Sequence, residues 1–413
     1  MAEAEATAKL DLDPAVDDPA FFTSGAAIEV CRELRRTDPF HWYDKLGAWL
    51  VTRYEDIRQI SQSPELFSSE PALAINDIKY DRSWSRKFWP EGADNLIMTD
   101  PPKHKELRRI INTAFTRQRI ASLGPSIREL ARELIDLLPV DEPVDVVAAL
   151  STPLPLLVVC QLMGWPSEAW EQLGEWSDLN TLLSEDPNEE TVLAAIGELQ
   201  NLFGFLGQTI EARRDHPDDD LTSTLIAGTV DGARLSDINL VLFSQLLLTA
   251  GNETNRNLIS GGVAALANHP DQLARLAADP SNLPTAVEEM LRFVSPINQF
   301  LRVAKKDLDF AGHRVKAGDP LVLLYISGNR DESIWEVPDK FDAARLPRPG
   351  HIAFGWGEHV CPGASLARLT TTICFEELFK RFSGWELTGP VERRASTTIN
   401  SIETLPLRFL PRR

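Results

Sequence analysis

Phe354-Gly355-Trp356-Gly357-Glu358-His359-Val360-Cys361-Pro362-Gly363 decides how the rest of the 413-residue chain is read. Glycines loosen the loop, one thiol is delivered near its end, and Leu366, Leu369, Ile373, Phe375 and Leu378 then recur at helical spacing. A cysteine just before a helix N-terminus is favoured as thiolate, because backbone amides and the helix dipole stabilise an anion. A haem iron needs that arrangement for an axial sulfur ligand. A structural zinc wants four ligands, usually in spaced Cys/His pairs, and His359 and Cys361 have no such partner pair. On these residues alone, a glycine turn that contains a cysteine by chance stays open.

The pattern aromatic-Gly-x-Gly-x-His-x-Cys-x-Gly resembles the cysteine-ligand loop of the cytochrome P450 haem-thiolate monooxygenases. The resemblance implies a mainly α fold with a small β region, a triangular helical prism around a buried haem. It implies haem b with Cys361 as axial ligand of the iron, and Phe354, Gly355 and Gly363 against the cofactor. Residues 1–18 are rich in Ala, Asp and Glu and read as a disordered or loosely packed tail. Residues 19–413 are expected to form one domain.

A second run, Leu248-Thr249-Ala250-Gly251-Asn252-Glu253-Thr254-Asn255-Arg256, puts a glycine, an acid and a hydroxyl into an apolar helical segment. Glycine in mid-helix costs about 1 kcal/mol relative to alanine. A local opening of the helix, where dioxygen and water sit and Glu253 and Thr254 pass protons, would account for it. Taken alone, a solvent-facing patch on an ordinary helix explains the run as well. Ala250, Gly251, Glu253 and Thr254 are similar to the oxygen-activation motif of the family's central helix, so the resemblance implies them as the catalytic segment. Many relatives carry a second threonine where this chain has Asn255.

Glu289 and Arg292 form an i, i+3 pair that is commonplace on a helix. In the family the matching pair is buried with an arginine from upstream of the cysteine, which implies a structural triad of Glu289, Arg292 and Arg345. Haem propionates need cations. The matching positions are His104, Arg108, Arg302, His351 and His359, of which His104 and Arg108 fall on one helical face. The implied substrate pocket includes Met98, Leu247, Ala250, Ile297, Phe300 and Ile399, the loop 67–98 within the irregular aromatic stretch 64–99, and the helices of 172–205. No charge is evident among these positions, so a hydrophobic small molecule is expected as substrate, with O2.

The net charge of -19 argues against nucleic acid or anionic membrane as a partner. The N-terminal residues lack the basic start and apolar stretch of a signal peptide, and no run of about 18 apolar residues occurs. The expectation is a cytoplasmic monomer without a membrane partner. Cys31, Cys160 and Cys374 stand in apolar helical contexts and read as small buried hydrophobes. No flavin or iron-sulfur motif is present, so electrons must come from another protein. Lys103, Lys105, Arg109, Arg117, Arg119 and Arg368 cluster where an acidic ferredoxin would dock, unless they are an ordinary solvated face. Pro362 has no N–H to offer the sulfur, which predicts an electron-rich thiolate and a low potential.

Elsewhere, periodicity predicts helices at 26–36, 103–116, 125–138, 152–163, 190–215, 236–268, 271–277 and 284–294. Strands are expected at 40–43, 48–52, 301–304 and 321–326. Two other functions compete with a monooxygenase. A haem-thiolate peroxygenase or isomerase would not need Glu253 and Thr254, and a haem sensor would need neither these nor a docking patch.

Overall fold

A computed structural model describes residues 14–70, 72–80, 95–185, 188–230 and 232–412. Five helices frame the site: α1 (Lys103–Ala114), α2 (Trp170–Glu185), α3 (Asp237–Ala267), α4 (Leu283–Val294) and α5 (Ala364–Arg381). The long α3 starts at Ser236, whose side chain accepts from the Asn239 amide. From Asn255 to Leu266 it is buried on every side. Gly261 and Gly262 explain how α4 packs so close: a Cβ at either would lie 2.7 Å from Val294 Cγ1 or from Met290 Sδ. Helices Gly124–Asp136 and Pro153–Met163 pack against α5 and α3. No helix among the described residues is long and apolar enough to cross a membrane.

The β structure lies at the edges of this bundle. Strands β1 (Phe40–Tyr43), β2 (Ala48–Val51), β3 (Phe67–Ser68), β4 (Pro143–Asp145), β5 (Gln299–Ala304), β6 (Pro320–Leu324), β7 (Phe382–Leu387) and β8 (Pro406–Pro411) form two sheets. One has the order β1-β2-β6-β5-β3, the other β7-β8-β4. Gly47 turns the β1-β2 hairpin at φ 59°, in the left-handed region that glycine tolerates. The strand expected to run to 326 stops at Leu324, and Tyr325–Gly328 is helical. Buried hydrogen bonds impose that turn, with Ser327 Oγ donating to Thr52 O and accepting from Arg35 Nη1.

Two other expectations fail. Residues 1–13 of the supposed loose tail lie outside the described residues, but residues 14–17 are packed. Val16 is buried, and the Asp17 carboxylate accepts from Tyr43 and pairs with Lys45. Helix α3 also continues through Gly251 without a local opening. The glycine answers to packing instead, since a Cβ there would stand 2.9 Å from Val159 Cγ2. Cys31, Cys160 and Cys374 are buried, and burial pushes their thiols up to about 11, 12 and 12.

Candidate functional site

The Cys361 loop is shaped by its backbone. The Cys361 amide donates to Phe354 O at 2.9 Å, and Gly355 and Gly357 hold φ values of 70° and 71°. A Cβ on Gly357 would fall 2.1 Å from Ser61 O, so only glycine fits there. Burial raises the Cys361 thiol pKa, while the Gly363 and Ala364 amides and the charges of Arg108 and Arg368 act against it. Burial outweighs these donors and cations, yet they are the groups that would favour a thiolate here.

His104, Arg302 and His359 gather beside this loop, and Arg108 lies close enough to feel the cysteine's charge. The His104 and His359 rings stand 4.0 Å apart. Both nitrogens of buried His104, and Nε2 of His359, lack a hydrogen-bond partner among the described residues. Arg302 is 6% exposed, and its Nη1 donates to its own residue's neighbour, Leu301 O. Burial and the charge of Arg302 push His359 down to about 3. Buried polar groups are normally satisfied. Unfilled donors and cations grouped beside a cysteine suit a thiolate-ligated cofactor that carries two carboxylates, so the residues present fit haem. Arg108 Nε donates to Asn112 Oδ1 at 3.0 Å. His351 Nδ1 accepts from the Ala353 amide, and its Nε2 lies 3.3 Å from Glu288 Oε2.

Between Leu247 and Asn255, α3 leaves one stripe accessible besides Thr249. Leu247, Ala250, Gly251 and Thr254 keep access to solvent, whereas Leu248, Asn252, Glu253 and Asn255 do not. That i, i+3, i+4, i+7 spacing marks one helical face. Thr254 Oγ1 donates to Ala250 O at 2.7 Å. Glu253 points to the other side, 3.4 Å from Arg256 Nη2 and 3.8 Å from Arg394 Nη1. Burial raises its carboxyl to about 7, despite Arg256, and Asp178 of α2 lies against it. Asp178 moves the other way, because Arg256 and Arg394 outweigh its burial.

Among the expected pocket residues, Ile297 and Ile399 meet in an isolated backbone bridge. The Phe300 ring meets the Tyr325 ring edge-on, with centroids 6.0 Å apart. Met98 ends a short turn that opens at Asn95. The aromatic residues Trp84, Phe88 and Trp89 of the expected covering stretch lie outside the described residues. Glu185, which sequence reasoning missed, ties this region together: its carboxylate accepts from Asn76 Nδ2 at 2.9 Å and from the Thr397 amide at 3.1 Å.

The triad residues come together. Arg292 donates to both Glu289 oxygens at 2.7 and 2.8 Å, and Arg345 Nε lies 3.1 Å from the same carboxylate. The Asp342 amide adds a further bond at 3.0 Å. Three of the six cations expected to greet an electron donor are instead paired. Lys105 meets Glu358, Arg119 meets Asp219 and Arg368 meets Glu288. No local pattern announces Glu185, Glu288, Asp178 or Arg394, because each is an ordinary charged residue until its partner folds beside it.

This helical frame with its cysteine loop defines a haem-thiolate protein. A cytochrome P450 family model matches residues 189–400. The methyl-branched lipid omega-hydroxylase of Mycobacterium bovis is 36% identical over 415 residues, covering 96% of this chain and 92% of that protein. Linalool 8-monooxygenase of Pseudomonas putida is 33% identical, covering 97% and 99%. The structure of CYP108D1 from Novosphingobium aromaticivorans superposes with a TM-score of 0.87 at 29% identity, covering 97% and 98%. The chain belongs to the cytochrome P450 family, and it is a monooxygenase that uses haem b with a cysteine thiolate ligand.

Proposed function

We propose that Cys361 is the axial ligand and that the enzyme hydroxylates an extended apolar molecule, such as a branched alkyl chain or a terpenoid. The observation that carries this reading is the set of unfilled donors on His104 and His359, with Arg302, beside the only loop that delivers a cysteine. When bound, haem with a thiolate ligand supplies the activation of dioxygen that puts one oxygen atom into substrate and releases the other as water.

The chain's own residues do the rest. His104, Arg108, Arg302 and His359 hold the propionates, while His351 stays with Glu288. Glu253 exchanges a proton near neutral pH, since its pKa is raised to about 7. Thr254 Oγ1, already donating to Ala250 O, passes a proton at the accessible face of α3. Leu247, Ala250, Ile297, Phe300 and Ile399 give substrate an apolar surface that excludes water. The hydroxylated alkyl and terpenoid substrates named for the two relatives support this substrate class. Electrons arrive from a ferredoxin in the cytoplasm, with Arg109 and Arg117 on the basic face offered to it.

The reduced, carbon monoxide-bound spectrum tests the ligand. A Soret band at the thiolate-ligated position is expected, and its absence overturns the reading at its root. Spin-state titration against branched alkyl, terpenoid and steroid compounds then ranks substrates. NADPH consumption with a reconstituted ferredoxin system, with and without the compound that titrates, separates a monooxygenase from a peroxygenase or a sensor.

A further inference from the structure

The cysteine loop carries two large rings, Phe354 and Trp356, and an arginine lies over each. The Arg368 guanidinium of α5 is 4.6 Å from the Phe354 centroid. Arg58, from helix Tyr54–Ser61, is 4.2 Å from that of Trp356. Both cations are held in place. Arg368 makes a two-pronged pair with Glu288 of α4, through Nε to Oε1 and through Nη2 to Oε2 at 3.0 Å. Arg58 Nη1 donates to Glu55 Oε2 at 2.9 Å, while its Nε is buried without a partner. An arginine that leaves a donor unfilled while its guanidinium stays 4.2 Å from the indole centroid is placed by the ring. Phe354 is also the residue whose carbonyl accepts the Cys361 amide. Its ring and the cysteine are thus braced by one short backbone closure.

We propose that Arg368 and Arg58 are positioning residues that clamp the cysteine loop through its two rings, with Glu288 holding Arg368 to the task. This rests on Cys361 being the haem ligand. Neither arginine touches sulfur. A guanidinium stacks as a plane and pairs as a fork, which lysine cannot reproduce. The cation over Phe354 also puts positive charge on the ligand side of the site, which favours the reduced iron. Arg368 was expected from sequence to face an electron donor, yet its pair with Glu288 and its place over Phe354 hold it against the loop while 39% of its side chain stays exposed.

The test uses the haem-loaded protein and the variants Arg368→Met, Arg368→Lys, Glu288→Gln and Arg58→Met. Three quantities are read: the haem reduction potential, the half-life of the thiolate-ligated Soret band in the reduced carbon monoxide complex, and KM for the electron donor. The clamp requires Arg368→Met, Glu288→Gln and Arg58→Met to shorten that half-life roughly 3- to 30-fold, the span of a partly desolvated cation-ring stack. Arg368→Met also lowers the potential. Arg368→Lys keeps the potential but not the half-life, because the charge survives and the planar stack does not. Unchanged half-lives and potentials with a raised donor KM make Arg368 a docking residue and overturn the clamp. If the unsubstituted protein lacks the thiolate band, the assignment of Cys361 falls first and the clamp with it.

Discussion

The side of the site that carries Cys361 and the side that carries Thr254 are held together by different forces. Behind the cysteine loop, Glu289 receives Arg292, Arg345 and the Asp342 amide, and Arg292 Nη1 goes on to Asn329 O and Pro338 O. These are buried charges with their bonds filled, and such a network has no inexpensive rearrangement. Between α2 and α3 the seam mixes neutral bonds with charges: Asn252 Nδ2 donates to Ser177 Oγ at 3.1 Å and Gln245 Nε2 to Asn180 Oδ1 at 2.6 Å. Asn252 Oδ1 is left without a partner, and two carboxyls, Glu253 and Asp178, share Arg256 and Arg394. A seam of this kind can trade partners with water or with a proton. The ligand side must keep a sulfur still, whereas the other side must admit substrate and protons.

The contrast is broken or sharpened first at Glu289. Glu289→Gln keeps the shape but leaves Arg292 and Arg345 without a counter-charge, and should cost about 3 to 5 kcal/mol in guanidinium unfolding. A cost below about 1 kcal/mol would put this triad on a par with surface pairs and erase the distinction.

Glu253 gives the next effect, read in its pH dependence. Its carboxyl is raised from 4.5 to about 7 in the folded protein. The folded state therefore holds this proton where the unfolded chain has lost it. The corresponding stability is complete below pH 4.5 and disappears as pH climbs through about 7. Glu253→Gln should flatten the fall in stability across that window. Asp178, held low by Arg256 and Arg394 against its burial, slopes the opposite way at lower pH, so its contribution falls outside the window read for Glu253. Equal slopes in the two proteins would place the titrating proton elsewhere.

A smaller loss is expected from Ser177→Ala, which removes the acceptor for Asn252 Nδ2. One neutral hydrogen bond contributes about 1 kcal/mol, so chemical unfolding should register that much. A loss as large as that of Glu289→Gln would mean that both sides are equally committed.

The same division governs what could be read from the chain. The ligand loop and the Ala250 to Thr254 run were legible because each is contiguous, and local spacing alone placed α5 behind the cysteine, though it did not show that Glu253 and Thr254 leave α3 on different sides. The triad needed Arg345, 56 residues from Glu289, and no spacing rule supplies that. The seam was invisible for the same reason, since Asp178 meets Arg394 across 216 residues. Cations were misjudged in one direction: Lys105, Arg119 and Arg368 read as free because sequence does not show the carboxylate that folds against each. Gly251 was misjudged too, its cause being Val159 on a neighbouring helix rather than anything in its own. Strands β7 and β8 escaped notice, as strand formation depends on partners more than on propensity.

Pro362 offers the finest test, because it alters one donor beside the sulfur and nothing in the triad or the seam. The Gly363 and Ala364 amides already point at Cys361 Sγ, whereas Pro362 contributes no N–H. Pro362→Leu supplies the missing amide and drains charge from the thiolate, so the haem potential should move up. That direction is opposite to the one expected for Arg368→Met, which removes positive charge from the same side of the site. Two substitutions on the ligand side that pull the potential apart, with substrate affinity constant in both, would show that this side tunes the iron without shaping the pocket. If Pro362→Leu leaves the potential where it was, the two existing amides already saturate the sulfur. The ligand side would then act on the iron through its charges alone.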